Sequence, residues 1–321
     1  MSDATAADNG TLPLRICAIS TLKSNRACIV EYIQANRRAG ITDFLLFMDD
    51  ATAQSLDDLG PGIEQVLCDD AYWQRVVGGP APDQLTERQR ANLREAVARC
   101  RARGIPLAVH IDIDEVVLSA DPLAETLVAE MGDADALIMP CLEARHSLQT
   151  TDLDTMFAAP YVLSHRPGLY GFLTMLCLRD GLAVTRSGFF GHTLGKYAFK
   201  VASPFERWDI HYPRGGPTEI RRSRSINLLH FDSVNYDLWR AKWNIRSGID
   251  KFMVKKRKRQ QRRVLRALRA GEQAARNLYR RWYTLSPWRF RALARLGTAR
   301  ELKSIAGAER LGLGTGPAPS P

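Results

Sequence analysis

Residues 107–118 read LAVHIDIDEVVL. The apolar run Leu107, Ala108, Val109, His110 and Ile111 meets three carboxylates, Asp112, Asp114 and Glu115, before Val116, Val117 and Leu118. A run that is apolar on both faces marks a strand inside a helix-covered parallel sheet, not one lying open to water on one side. Such strands present their ligands at the carboxyl end. Side chains two apart in an extended chain share a face, so Asp112 and Asp114 are expected to converge, with Ile113 and Glu115 pointing the other way. Two carboxylates facing one spot repel unless a cation lies between them, and hard divalent ions prefer one or two carboxylates together with phosphate oxygens. The pair therefore reads as a Mn²⁺ or Mg²⁺ site suited to a nucleotide diphosphate. The structural alternative is an acidic loop behind a core strand.

The chain has 321 residues, of which 45% are hydrophobic, enough for a sizeable core. No stretch approaches the roughly 18 consecutive apolar residues of a membrane span. The first ten residues, MSDATAADNG, have neither a basic nor an apolar leader region, so a cytoplasmic protein is expected. The six cysteines, Cys17, Cys28, Cys68, Cys100, Cys141 and Cys177, are scattered without a C-x-x-C pair, which predicts reduced thiols and neither disulfides nor zinc.

The net charge of +10 belongs to one segment. Residues 251–300 hold 17 Lys or Arg against a single acid, Glu272, and the rest of the chain is acidic. This divides the chain into a flexible N-terminus (1–12), a main domain (13–248), a basic helical extension (249–311) and a disordered tail (312–321).

Within the main domain, LRICAI (14–19) reads as a strand, Ile29 and Ile33 mark a helix closed by Gly40, and FLLFM (44–48) is a second strand ending at Asp49 and Asp50. That is a βαβ unit with polar strand ends, where open α/β sheets bind ligands. A polar helix over 84–103, stopped by Gly104 and Pro106, leads into the 107–118 strand; a helix over 122–131 and a strand over 136–140 follow. Residues 143–167 are irregular and suit a substrate-binding loop, and 168–222 alternate short strands with Gly- and Pro-rich turns. A final apolar run, 226–230, precedes HFDSVNYDLWRAKW (230–243).

Three segments carry a resemblance. TLKSNRACIVEYIQANRRAGITDFLLFMDDAT (21–52) resembles the opening of bacterial family-2-like glycosyltransferases, with its K-N-E pattern, helix ending in Gly and strand ending in D-N-x-S. DIDE (112–115) resembles their metal-binding D-x-D, and HFDSVNYDLWRAKW resembles their closing H-x-x-x-x-x-Y-x-x-W-x-x-K segment. The match spans residues 14–248. Arg26 departs from it by replacing the usual acid after Asn25, and Ala51 and Gln54 replace the Gly and Asp usual in the loop after the second strand.

The resemblance implies a GT-A-like nucleotide-diphospho-sugar transferase fold, an α/β domain with a mostly parallel central sheet and flanking helices. It implies a glycosyltransferase that moves a sugar from a nucleotide-sugar donor to a glycan, a lipid-linked acceptor or another hydroxyl, with Mn²⁺ or Mg²⁺, in cell-surface polysaccharide synthesis. Asp49 falls on the strand-end Asp near the nucleotide, with Lys23 and Asn25 in the loop beside it. Asp112 and Asp114 fall on the D-x-D, and His230 falls where a late histidine completes the metal or diphosphate contacts.

A sugar leaving a nucleotide diphosphate builds negative charge on the β-phosphate, which a divalent ion and Lys196, in GHTLGKYAFK (191–200), would stabilise. An inverting reaction also needs a carboxylate to take the acceptor's proton. Glu143, Asp209 and Asp232 are the candidates, with Glu143 and Asp232 favoured by their neighbours. Trp239 and Trp243, four apart, read as a core stripe.

Two other readings use the same chain differently. DIDEVV also fits the D-x-D-x-V pattern of haloacid-dehalogenase-type Mg²⁺ phosphatases, although no late acidic cluster follows residue 140. The basic segment 251–300 would hold a non-catalytic protein on nucleic acid or on an anionic membrane. No base-reading chemistry accompanies it, so no specific nucleic acid is expected. Trp282, Tyr283, Trp288 and Phe290 suit a headgroup interface, and an enzyme of surface glycans would gain from peripheral attachment to the inner face of the plasma membrane. The structural alternative is a helix packed through Leu265, Leu268 and Leu278.

Overall fold

A computed structural model describes residues 14–49, 54–150, 152–216, 218–247 and 255–312. The N-terminal residues expected to be flexible, most of the tail, and Asp50 and Ala51 lie outside the described residues. In chain order the first half contains β1 (Ile16–Leu22), α1 (Arg26–Ala39), β2 (Asp43–Met48), β3 (Ile63–Leu67), α2 (Asp70–Val77), α3 (Leu85–Ala102), β4 (Leu107–His110), β5 (Glu115–Ser119), α4 (Leu123–Met131), β6 (Ala136–Met139) and β7 (Cys141–Ser147). The second half contains β8 (Tyr161–Ser164), α5 (Gly168–Cys177), α6 (Gly181–Val184), β9 (Lys196–Lys200), β10 (Ile220–Arg222), β11 (Ile226–His230), α7 (Tyr236–Ser247), α8 (Lys255–Arg269), α9 (Glu272–Tyr283), β12 (Thr284–Leu285), α10 (Pro287–Arg295) and β13 (Ala299–Glu301).

The fold is α/β with two mixed sheets. The larger runs β10-β6-β9-β4-β1-β2-β3. Its β4-β1-β2-β3 half is parallel, as the βαβ reading expects, but β9 inserts antiparallel to both β4 and β6. The smaller sheet runs β13-β8-β7-β11-β5, with β12 beside β7, and most of its pairings are antiparallel. The larger sheet is mostly parallel, as expected, with β9 its one antiparallel strand. Strand β9 and the second sheet are the departures, built by pairings such as β5 with β11 between segments far apart in the chain, which local periodicity does not encode.

The alternation within β1 explains the layering. Ile16 and Ala18 face a core shared with α1 and the smaller sheet, whereas Cys17 and Ile19 face a core closed by α2 and α3. Helix α1 starts on the Asn25 side chain, which accepts the Cys28 N–H, and ends at Gly40 in the left-handed conformation. All six cysteines are free. No helix among the described residues is long and apolar enough to cross a membrane.

Residues 255–312 are largely helical, but they are not an appendage. Strand β13 joins β8 and β12 joins β7, while Leu302, Ile305, Ala308 and Leu311 enter the main core. Helices α7, α8 and α9 enclose a third core around Trp239, Trp243, Tyr279 and Trp282, so the two tryptophans form the expected stripe. Residues 143–167, expected as an irregular substrate-binding loop, instead hold most of β7 and all of β8, a substantial part of the second sheet.

Candidate functional site

The 107–118 stretch is two strands, not one. Strand β4 stops at His110, the chain turns through 111–114, and β5 begins at Glu115 in the other sheet. The turn is closed by the Glu115 N–H on the Asp112 carbonyl (3.0 Å) and by the Asp112 N–H on Glu115 Oε2 (2.7 Å). The alternation that paired Asp112 with Asp114 requires extended chain and fails at this turn. The motif instead marks where the chain crosses between sheets, at the carboxyl end of the parallel half.

Each aspartate has a lysine. Asp112 Oδ2 lies 2.8 Å from Nζ of the buried Lys196, and its Oδ1 accepts Gln89 Nε2 at 2.7 Å. Burial opposes the Asp112 charge, but Lys196 and His110 hold its carboxyl well below the usual range. Asp114 Oδ2 accepts from Lys242 Nζ at 3.1 Å and lies 3.9 Å from His230 Nε2. Lys242 also donates to the Asp232 carbonyl at 2.6 Å.

The tightest potential ligand group among the described residues is Glu115, His192 and His230, whose donor atoms lie within 4.8 Å of one another. Of the expected metal set Asp112, Asp114 and His230, only His230 belongs to it. In the registers of β11 with β5 and β7, His230 stands between Glu115 and Glu143, a row across three neighbouring strands. His192 reaches the row from the loop before β9, with Nε2 2.8 Å from Glu115 Oε1. Burial lowers the His230 pKa, but Glu143, Asp114 and Glu115 outweigh it and raise the value to about 9. One carboxylate with two imidazoles suits a first-row transition-metal ion, Mn²⁺ among them, better than Mg²⁺, which favours all-oxygen ligation.

Sequence reasoning passed over Glu115 as a ligand because alternation placed it on the wrong face. His192 lies in GHTLGKYAFK (191–200), a stretch whose sequence draws attention to Lys196 and not to the histidine. Gly191 makes room at the site: a Cβ there would meet His230 Cε1 at 2.1 Å, so glycine lets the ring lie against the loop backbone.

The remaining expected residues are dispersed in role. Glu143 is fully buried; it accepts the Phe190 and Gly191 N–H groups (2.9 and 2.8 Å) and pairs with buried Arg145. Asp232 is buried, accepts Tyr283 Oη at 2.6 Å, and is held well below its usual pKa by Lys242, Arg257 and Arg246 against the effect of burial. Both carboxylates expected as bases are therefore committed to internal partners. Asp209 pairs with Arg90 at 3.0 Å. Asp49 follows β2 and pairs with Arg88 at 2.9 Å, Asn25 caps α1, and Lys23 is exposed on the loop between β1 and α1.

No family model matches the chain, and no curated protein matches it.

Proposed function

We propose that the chain is a metal-dependent glycosyltransferase of the GT-A type, transferring a sugar from a nucleotide-diphosphate donor to a hydroxyl acceptor. The observation that carries this reading is the convergence of Glu115, His192 and His230, with Asp114 3.9 Å from His230, just after β4 and beside the parallel strands β1, β2 and β3. Open α/β sheets bind ligands at such an edge. The motif resemblance supports the same assignment.

In this reading Glu115, His192 and His230 hold the divalent cation, with Asp114 adjoining. When bound, the cation supplies electrostatic stabilisation of the departing diphosphate. Lys242, with Arg246 and Arg257 close to Asp232, supplies fixed positive charge on the same side. Lys196 acts through Asp112, whose carboxylate it orients. Glu143 acts through the loop it holds, fixing Phe190 and Gly191 against His230.

The test is thermal-shift screening with UDP, GDP, CMP and dTDP, with and without Mn²⁺ or Mg²⁺, on wild type and Asp114→Ala. Millimolar ligand with micromolar affinity raises stability by about 4 kcal/mol. A metal-dependent shift with one nucleotide, lost in the variant, is the expected result. No nucleotide shift, together with metal-dependent phosphate release from phosphoesters, overturns the reading in favour of a phosphatase.

A further inference from the structure

Helix α5 is an oddity by composition and by placement. Its ten residues, GLYGFLTMLC, contain no charge, yet only Gly171 and Thr174 are buried. Leu169, Tyr170, Phe172 and Leu176 are 47–67% exposed. Helix α5 packs against α10, which adds Trp288 at 56% exposure. Single exposed apolar residues are ordinary, but five large ones on two touching helices make a patch that requires a partner.

The charges around the patch identify that partner. Residues 161–179 contain Arg166 and Arg179 and no acid, and residues 287–297 contain Arg289, Arg291 and Arg295 and no acid. Arg166 lies over the Tyr170 ring (5.7 Å) before α5, and Arg289 lies over the Trp288 ring (4.7 Å). Burial and the neighbouring Arg179 and Arg281 lower the Arg289 pKa, a sign of crowded positive charge. The first acid beyond α5, Asp180, is consumed by Arg263 of α8 and Arg281 of α9, both at 2.8 Å. A protein partner of mixed charge has little to match this rim. Lipid phosphates match it throughout, with the apolar side chains entering the acyl boundary and the arginines reaching headgroup level.

We infer that α5 and Trp288 form a docking surface for an anionic lipid bilayer, lying in the interface and not spanning it. A ten-residue helix is only about 15 Å long, half the hydrocarbon thickness. Of the attachment expected from residues 251–300 this keeps Trp288 and the α10 arginines, and it moves most of the apolar anchorage to α5. Trp282 and Tyr283 are buried, Phe290 stacks on Tyr161, and only Trp288 of the four aromatics is exposed. Helix α8 turns Val264 inward and exposes cations, so it adds attraction without apolar anchorage.

The test uses the full chain with phosphatidylcholine vesicles, with and without phosphatidylglycerol. Wild type sediments with the phosphatidylglycerol vesicles, less so in high salt, and L169S/F172S binds about tenfold more weakly or worse at unchanged Tm. Brominated acyl chains quench wild-type tryptophan emission, and Trp288→Phe loses that quenching; this readout stands if L169S/F172S does not fold. Failure of wild type to bind, or absence of quenching, overturns the inference. So does equal binding by the folded variant, which leaves attachment to α8 alone. A chain that ignores vesicles but changes from dimer to monomer on L169S/F172S overturns it in favour of a protein interface.

Discussion

Glu115, the first residue of β5, stands directly across the antiparallel ladder from His230, the last residue of β11. The ladder thereby brings a carboxylate and an imidazole together from positions 115 residues apart, and His192 closes the group from a third segment. His192→Gln is expected to weaken Mn²⁺ binding by about tenfold or more, as loss of one ligand from a small set does. Titration of free Mn²⁺ by electron paramagnetic resonance measures it. Unchanged affinity would remove His192 from the ligand set.

Glu143 and Arg145 form a fully buried ion pair, and Glu143 also accepts two backbone N–H groups. Glu143→Gln leaves the Arg145 charge uncompensated and is expected to cost about 3–5 kcal/mol in urea unfolding. E143L/R145M should recover part of that loss, since neither charge then remains buried. A Glu143→Gln protein as stable as wild type would instead fit a carboxylate poised for proton transfer.

Asn36 binds α1 to β5 at the rim of the smaller sheet. Its Nδ2 donates to the Glu115 carbonyl at 3.1 Å, and its Oδ1 accepts the Val117 N–H at 3.0 Å. Because β5 ends the sheet, this amide replaces a neighbouring strand. Asn36→Ala leaves both backbone groups unpaired in the core and should destabilise the protein by about 2–4 kcal/mol. Faster amide exchange at Val117, measured at neutral pH, is the local signature.

His146 is buried beside Arg145, and burial together with that charge pushes its pKa down to about 4. The unfolded chain titrates near 6.5, so between those values the unfolded state binds more protons. Stability is therefore present above pH 6.5 and is lost as pH falls toward 4, by about 2 kcal/mol from this group between pH 7 and pH 5. Urea unfolding of wild type and His146→Gln at both pH values should show a shallower loss in the variant. Parallel losses would exclude His146 as a contributor.

Much of the first half was legible. Apolar runs, the Gly40 stop and the helix over 84–103 correspond to β1, α1, β2, α3 and β4, because each is set by patterns a few residues long. Position 115 shows the limit. Alternation is valid only while the chain stays extended, and the turn at 111–114 ends that condition just where the chemistry begins.

The sequence by itself determined an α/β protein with polar residues at strand ends, an acidic cluster after a core strand, reduced cysteines and a basic, helical C-terminal segment. Only the tertiary structure decided that the acidic cluster joins two sheets, that Lys196 and Lys242 engage its two aspartates, and that Glu115, His192 and His230 meet. It also decided that the C-terminal segment completes the second sheet and that α5 is left bare. The physical reason is range. Caps, turns and periodicity act over one or two turns of chain, whereas strand β9, the β5-β11-β7 ladder and the burial of a side chain depend on segments that meet only when the whole core forms.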